Sequence, residues 1–254
     1  MPAKPINILV VSHSGEIGGA ELALLDMLDY LTSKVNLKIH FVMPWDRGGL
    51  DRSLNERGWR YSIIPYTVWS LQKPLKHTED IYRENQKNLA AVEGIIKIID
   101  KVRPDIVWSN SVVCPWGAVA AAQRPVHHIW YVHEYGDVGL NLEFEQGREK
   151  SLSDVGWLSD LVIANSLAIM GHLANYIPKA KIQTAYIPYD VAKIKELTNS
   201  KAKDIFPANA GLRLIRVGRC AATKGQIDAV RAVGDLKKQG VKASLCLVGN
   251  FKND

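Results

Sequence analysis

Apolar residues in this chain follow two alternating patterns. Short, continuous, β-branched runs read as buried strands: Ile6–Ser12, Leu37–Met43, Tyr61–Pro65, Asp105–Ser109, Val126–Val132, Asp160–Ala164 and the shorter Ile182–Tyr186. Between them lie stretches of helical character. Ala20–Leu31 is rich in Ala and Leu, a shorter helix is expected around Leu50–Arg57, and a long one spans about Thr78–Val102, where apolar positions recur at three and four residues. Repeated strand–helix–strand order with continuously apolar strands predicts an α/β fold built on a parallel sheet covered on both faces. Right-handed crossovers then bring every strand-to-helix loop to one edge of that sheet, where ligands bind in such folds.

The pattern also predicts a boundary. Ile187-Pro188-Tyr189-Asp190 closes a first domain at residues 1–190, and a polar, lysine-rich linker follows over 191–210. A second strand–helix–strand unit fills 211–254, with strands Leu212–Val217 and Ala243–Val248 around a helix near Gly225–Gln239. One such unit cannot bury both of its faces. It is expected to pack on the first domain, to recruit another chain, or to be the first piece of a larger domain.

Composition changes this picture little. Hydrophobic residues at 47% and charged residues at 23% are ordinary for a globular chain. The three cysteines, Cys114, Cys220 and Cys246, have neither metal-ligand nor redox spacing, which fits buried thiols in a reducing compartment. The apolar run Ile6–Val11 is too short for a secretory leader, and Val112–Ala122 falls short of a membrane span. A cytoplasmic location is expected.

Charge is more informative. From Pro178 onward, fifteen Lys or Arg face six Asp or Glu, a balance of +9, which against +6 for the whole chain leaves −3 for the first 177 residues. A basic second part suggests an anionic ligand there, although lysines that merely solvate helix faces would produce the same count. Nucleic acid is not expected, since no reader motif or aromatic–basic stacking stripe is present.

Four patterns carry candidate chemistry. The first strand runs into Ser14-Gly15-Glu16-Ile17-Gly18-Gly19-Ala20-Glu21, where glycines before a helix N-terminus allow close approach of a phosphate. The motif is neither the dinucleotide fingerprint nor a P-loop, and many strand–helix turns contain glycine. After the fifth strand, His133-Glu134 places an ionisable pair at the ligand edge. His133 is suited to a sugar hydroxyl or to proton transfer, with Glu134 orienting it. His127 and His128 read as packing or surface residues. Asn165-Ser166 reads first as a helix N-cap on the same edge. Finally, Leu214-Ile215-Arg216-Val217-Gly218-Arg219 followed by Lys224-Gly225 brings two cations to a helix N-terminus, which suits a departing diphosphate. No Asp-x-Asp and no third metal ligand at recognisable spacing occur, so neither metal nor cofactor is expected.

Taken in order, these segments resemble the family-four retaining glycosyltransferases of the GT-B fold, in which two Rossmann-like domains face each other. Gly18-Gly19-Ala20-Glu21, His133, Ser159 to Ser166, Ile187 to Asp190, and Val217-Gly218-Arg219 with Lys224-Gly225 carry the resemblance, which spans nearly the whole chain. It implies a complete N-terminal acceptor-side domain and the first βαβ unit of a donor-side domain. It further implies that Arg219, Lys224, Gly18 and Gly19 bind the donor diphosphate and that His133 contacts the transferred sugar; the place of His133-Glu134 after a buried strand, not the resemblance, makes the two a candidate catalytic pair. Glu21, Asn165 and Ser166 would line the cleft. The substrates implied are a nucleotide sugar and a glycan or lipid-linked acceptor, with retention of configuration, in polysaccharide or lipopolysaccharide biosynthesis. The later paired glutamates of that family do not occur before Asp254, so an incomplete chain, or one completed by a partner, is expected.

The segment Tyr66–Gln86, with Trp69, Leu71, Leu75, Tyr82 and Arg83, is a candidate acceptor or membrane contact at the inner face of the membrane; a plain surface loop is the simpler alternative. Two rival functions stay open. One is a non-catalytic subunit or remnant that binds a partner chain or glycan. The other is an epimerase of similar fold or an NAD-dependent oxidoreductase, the latter disfavoured by the missing fingerprint.

Overall fold

The structure, a computed structural model, describes residues 4–71, 77–138, 142–188, 191–198 and 204–249. The chain divides into two compact units, Met1–Tyr189 and Asp190–Asp254. The architecture is α/β, as its apolar pattern predicts.

In the first unit the elements run β1 (Ile6–Ser12), α1 (Gly19–Thr32), β2 (Leu37–Met43), α2 (Leu50–Glu56), β3 (Arg60–Ile63), β4 (Ser70–Leu71) and α3 (Thr78–Val102). Then come β5 (Ile106–Asn110), α4 (Trp116–Ala121), β6 (His127–Val132), β7 (Glu143–Phe144), α5 (Arg148–Trp157), β8 (Leu161–Ala164), α6 (Leu167–Leu173) and β9 (Ile182–Thr184). Seven strands form one sheet in the order β3-β2-β1-β5-β6-β8-β9, every neighbouring pair parallel. The chain builds outward from β1 to β3, returns through the long helix α3, and then builds in the other direction from β5. The order therefore reverses between β1 and β5, and the carboxyl ends of those two strands are where folds of this kind form a ligand crevice.

Three buried clusters hold the sheet between its helices. Ile8, Val10, Phe41 and Met43 pack under Leu24, Leu25 and Leu28 of α1 and Leu50 and Leu54 of α2. On the other face, Leu9, Val11 and Val107 meet Ala91, Val92, Ile95 and Ile99 of α3 together with Ala120 and Ala121 of α4. Toward β8 and β9, Trp130, Val132 and Val162 pack against Leu152 and Val155 of α5 and Ile169 and Leu173 of α6. These strands are apolar on both faces because both faces are covered.

A two-residue antiparallel pair, β4 with β7, lies outside the main sheet. It brings Trp69 beneath it, stacked on Trp130 at 5.9 Å and edge-on to Phe144. Trp69 is only 7% exposed, so it is a core residue and not the surface contact expected from the sequence. Tyr82 is 66% exposed; Leu75 lies outside the described residues. Among the described residues no helix is long and apolar enough to cross a membrane.

The second unit contains α7 (Val191–Thr198), β10 (Leu212–Val217), α8 (Gln226–Lys238) and β11 (Ala243–Val248). β10 and β11 pair in parallel, Leu212 opposite Ala243 through Val217 opposite Val248. Tyr189 and Asp190 of the expected hinge lie outside the described residues. The thiol of Cys114 is fully buried and pushed up to about 12 by that burial, while Cys220 and Cys246 are half-buried and unpaired.

Candidate active site

The crevice edge is lined by the residues that end each strand. Ser12 of β1 lies in register with Asn110 of β5, and Asn110 with Tyr131 of β6. The next residues, His13, Ser111 and His133, project from the ends of these three strands into one neighbourhood.

His133 is half-buried, its ring 4.0 Å from that of Tyr131. Its Nε2 lies 2.8 Å from Asn110 Oδ1. An amide oxygen only accepts, so Nε2 carries the proton and Nδ1 is left as an acceptor. Burial holds the ring down at about 4, helped by the charge of His13 and opposed by Glu21, so at neutral pH it is an uncharged imidazole. Asn165 Nδ2 donates to the His133 carbonyl at 3.0 Å and fixes the backbone beneath the ring.

Glu134 does not orient His133, as the sequence reading expected; Asn110 does. The Glu134 carboxylate turns toward β5, where Oε1 accepts from Ser111 Oγ at 2.6 Å and from Val112 N at 2.9 Å. Burial raises its pKa, against the hydrogen bond from Ser111 and the charge of His13. Its partner Ser111 has φ +74, a left-handed conformation costly for a residue with a side chain. The turn is locked from several directions. Trp130 Nε1 donates to Ser111 O and Trp69 Nε1 to Val112 O, both at 2.8 Å. Glu134 is thus a structural brace for a strained turn at the crevice.

The glycine turn differs in detail from its sequence reading. Gly15 packs so closely on the loop after β2 that an added Cβ would lie 2.0 Å from Trp45 O, which explains glycine there. Gly18 and Gly19 are exposed, Gly19 with open space around its Cα. The Gly18 N–H is not free for a ligand, since it donates to Glu21 Oε2 at 3.1 Å. Glu21 is 3% exposed and its Oε1 lies 3.1 Å from His13 Nδ1. His13, Asn110 and Ser111 escaped the sequence reading; the position of each immediately at or after a strand end flanking the order reversal was the available signal.

Ser166 caps α6, its Oγ accepting from Ile169 N at 3.3 Å, as the sequence suggested. With Asn165, His133, Tyr135, Tyr186 and Ile187 it also lines an open cavity of about 470 Å³. His128, by contrast, is a core residue at 2% exposure, bonded to Ser159 and Ser109, and burial holds it down at about 3. His127 is at the surface beside Asp160.

In the second unit, Arg219 precedes, and Lys224 ends, a short 3₁₀ turn, Ala222–Lys224, that leads into α8. Both side chains are exposed and make no hydrogen bond or ion pair among the described residues. The turn is held from below by Arg216, which donates to Val217 O at 2.7 Å and to Lys224 O, and by Gln226 Nε2, which donates to Arg219 O at 2.8 Å. Gly225 caps α8 at φ +69, a conformation natural to glycine. The structure therefore brings His133, Glu21, Asn165 and Ser166 to one sheet edge, and separately brings Arg219 and Lys224 to one helix start.

A model of Glycosyltransferase Family 4 matches residues 17–193, so the chain belongs to that family. No curated protein matches it in sequence. Among solved structures it is similar to a glycosyltransferase from Rickettsia africae, at 16% identity and a TM-score of 0.61 over 98% of this chain and 61% of that one. It also resembles a lipopolysaccharide outer core galactosyltransferase, at 13% identity and a TM-score of 0.57 over 98% of this chain and 69% of the other. A UDP-GlcNAc 2-epimerase from Neisseria meningitidis bound to UDP-GlcNAc matches at 13% identity and a TM-score of 0.55, over 98% of this chain and 67% of the other. The shared fold is GT-B, and the chain spans about 61% of the length of the Rickettsia enzyme.

Proposed function

We propose that this chain serves the transfer of a sugar from a nucleotide-sugar donor to a glycan or lipid-linked acceptor, with retention at the anomeric carbon, in polysaccharide or lipopolysaccharide biosynthesis. Family membership supports transfer over the epimerisation carried out by proteins of the same fold. The observation that carries the reading is His133: an uncharged imidazole at the end of β6, one strand beyond the order reversal, its Nε2–H spent on Asn110 and its acceptor Nδ1 without a hydrogen-bond partner among the described residues, beside a cavity of sugar-accommodating size. Such a nitrogen accepts a hydrogen bond from a sugar hydroxyl and orients the transferred residue.

In the second unit Arg219 and Lys224 offer a fork and a point charge to the donor diphosphate. As the bond from the anomeric carbon to the phosphate oxygen breaks and the acceptor oxygen bonds that carbon from the same face, negative charge grows on the departing diphosphate, which takes up the acceptor's proton. Cations held at that point stabilise the transition state more than the ground state. No cofactor is invoked; the nucleotide sugar is a substrate. The same reading places the protein in the cytoplasm at the inner face of the membrane, where exposed Tyr82 would meet the acceptor.

The test is donor binding by the full chain and by Arg219→Ala, followed calorimetrically with a panel of nucleotide sugars. Loss of one charge-assisted contact should weaken binding roughly 10- to 100-fold with the circular dichroism unchanged. Unaltered affinity in the variant would remove Arg219 from the donor site.

A further inference from the structure

The turn between β1 and α1 holds a second histidine in a more demanding arrangement than His133. Glu21 is almost fully buried: Oε2 accepts from the Gly18 N–H at 3.1 Å, and Oε1 accepts from Ser12 Oγ at 3.4 Å and lies at ion-pair distance, 3.1 Å, from His13 Nδ1. A carboxylate in the first turn of a helix already satisfies the positive end of the helix dipole. With His13 uncharged, this turn therefore presents a net negative charge and repels an anion, glycines notwithstanding. With His13 protonated, the ion pair is neutral and Nε2–H, the ring nitrogen turned away from Glu21, is left to donate. Beside it on β5, Asn110 is fully buried and keeps its Nδ2 without a hydrogen-bond partner among the described residues. A glycine turn carrying its own buried counter-charge, next to unspent donors, is built for an oxyanion whose binding is conditional.

We propose that His13, held beside Glu21, is the phosphate-recognising side chain of the N-terminal unit, supplying a positive charge and an N–H to a phosphate or diphosphate oxyanion at the turn between β1 and α1. This rests on the nucleotide-sugar reading above and adds to it a residue and a condition, a single proton on one ring. The groups that face His13 are Glu21 from α1, Glu134 from the loop after β6, and His133 beside it. Burial works against charging His13, but the hydrogen bond and charge of Glu21, with Glu134 behind it, outweigh burial and raise its pKa. His133 is displaced in the opposite direction, so the pair divides the work: His13 takes the charge, and His133 stays neutral for a hydroxyl. The protonated form of His13 prevails below its raised pKa, and phosphate recognition fades as pH climbs through that value.

The experiment is calorimetric titration of the full chain with inorganic pyrophosphate from pH 6 to pH 9, for wild type, His13→Gln and Glu21→Gln. Reporting each affinity as a ratio of wild type to His13→Gln cancels the titration of pyrophosphate itself. The expected ratio is roughly 10- to 100-fold while His13 is protonated, the worth of one charge-assisted hydrogen bond, and falls toward one as pH climbs through its raised pKa. Glu21→Gln should move the midpoint to lower pH, a displacement that a merely structural role for Glu21 would not produce. NMR of the His13 ring proton in the free protein should report the same midpoint. A ratio that stays constant with pH overturns the inference, and so does a wild type that fails to bind pyrophosphate at pH 6. Nucleotide-sugar binding, measured in the same series, decides separately whether the donor reading survives either of those outcomes.

Discussion

The two units solve the placement of charge in opposite ways. In Met1–Tyr189, ionisable groups sit at the edge of a seven-stranded sheet, where burial and fixed partners decide which of them carry charge. His13 and His133 are neighbours with opposite displacements, and Glu134 is spent on holding Ser111. In the second unit, Arg219 and Lys224 stand exposed on a turn, and only the backbone beneath them is held, by Arg216 and Gln226. Ile215 at 55% and Val217 at 63% exposure show how little side-chain burial backs the second pair of strands. A buried site tunes protons, whereas an exposed turn supplies permanent charge from groups that need no tuning.

The largest expected break in this comparison is in the first unit's core. Trp130→Ala removes the stack on Trp69 and the hydrogen bond to Ser111 O, and should cost about 3–5 kcal/mol in denaturant unfolding. Ile215→Ala in the second unit should change the same measurement by less than about 0.5 kcal/mol.

Next in size is a pH effect. His128 is held at about 3 in the folded protein against about 6.5 when unfolded. The unfolded chain binds more protons between those values, so the contribution of His128 is complete above pH 6.5. It declines as pH falls toward 3, by at most about 1.4 kcal/mol per pH unit. His128→Asn should flatten the stability profile between pH 6 and pH 4. His13, whose pKa is raised, contributes with the opposite sign: its share is present below 6.5 and is lost as pH rises through its folded value.

Smaller still is the brace at Glu134. Glu134→Ala leaves Ser111 Oγ and Val112 N without their acceptor and should cost about 1–3 kcal/mol, whereas Glu134→Gln keeps an oxygen there and should cost less than half as much. Equal losses in the two variants would mean that the carboxylate's charge, not its hydrogen bonds, holds the turn.

Much of the fold was legible because burial on both faces writes a strand as an unbroken apolar run. Ile6–Ser12, Leu37–Met43 and the long helix Thr78–Val102 fall where the periodicity places them. The pair β4 and β7 was not legible, since two residues cannot show a period and their partners are some seventy positions apart. At the site, His133 and the Ser166 cap were readable from their place after a strand, but the partners were not. Glu134 follows His133 in sequence yet points to Ser111, and the true orienting group, Asn110, comes from a different strand. Gly18 looked like a free donor because the chain's alphabet does not show that Glu21 folds back onto its N–H. Strand order, known only after folding, is what joins these residues.

The measurement that bears most directly on the central claim is release of nucleoside diphosphate from a panel of nucleotide sugars, with and without glycan and lipid-linked acceptors, by the full chain and by His133→Ala. The account predicts that wild type, with its donor-side domain complete, binds and turns over a donor with acceptor-dependent release, and that His133→Ala lowers turnover by about 10-fold while still binding the donor, the worth of one hydrogen bond to the transferred sugar. Wild-type turnover that is unaffected by His133→Ala, or a wild type that binds no nucleotide sugar, would contradict it.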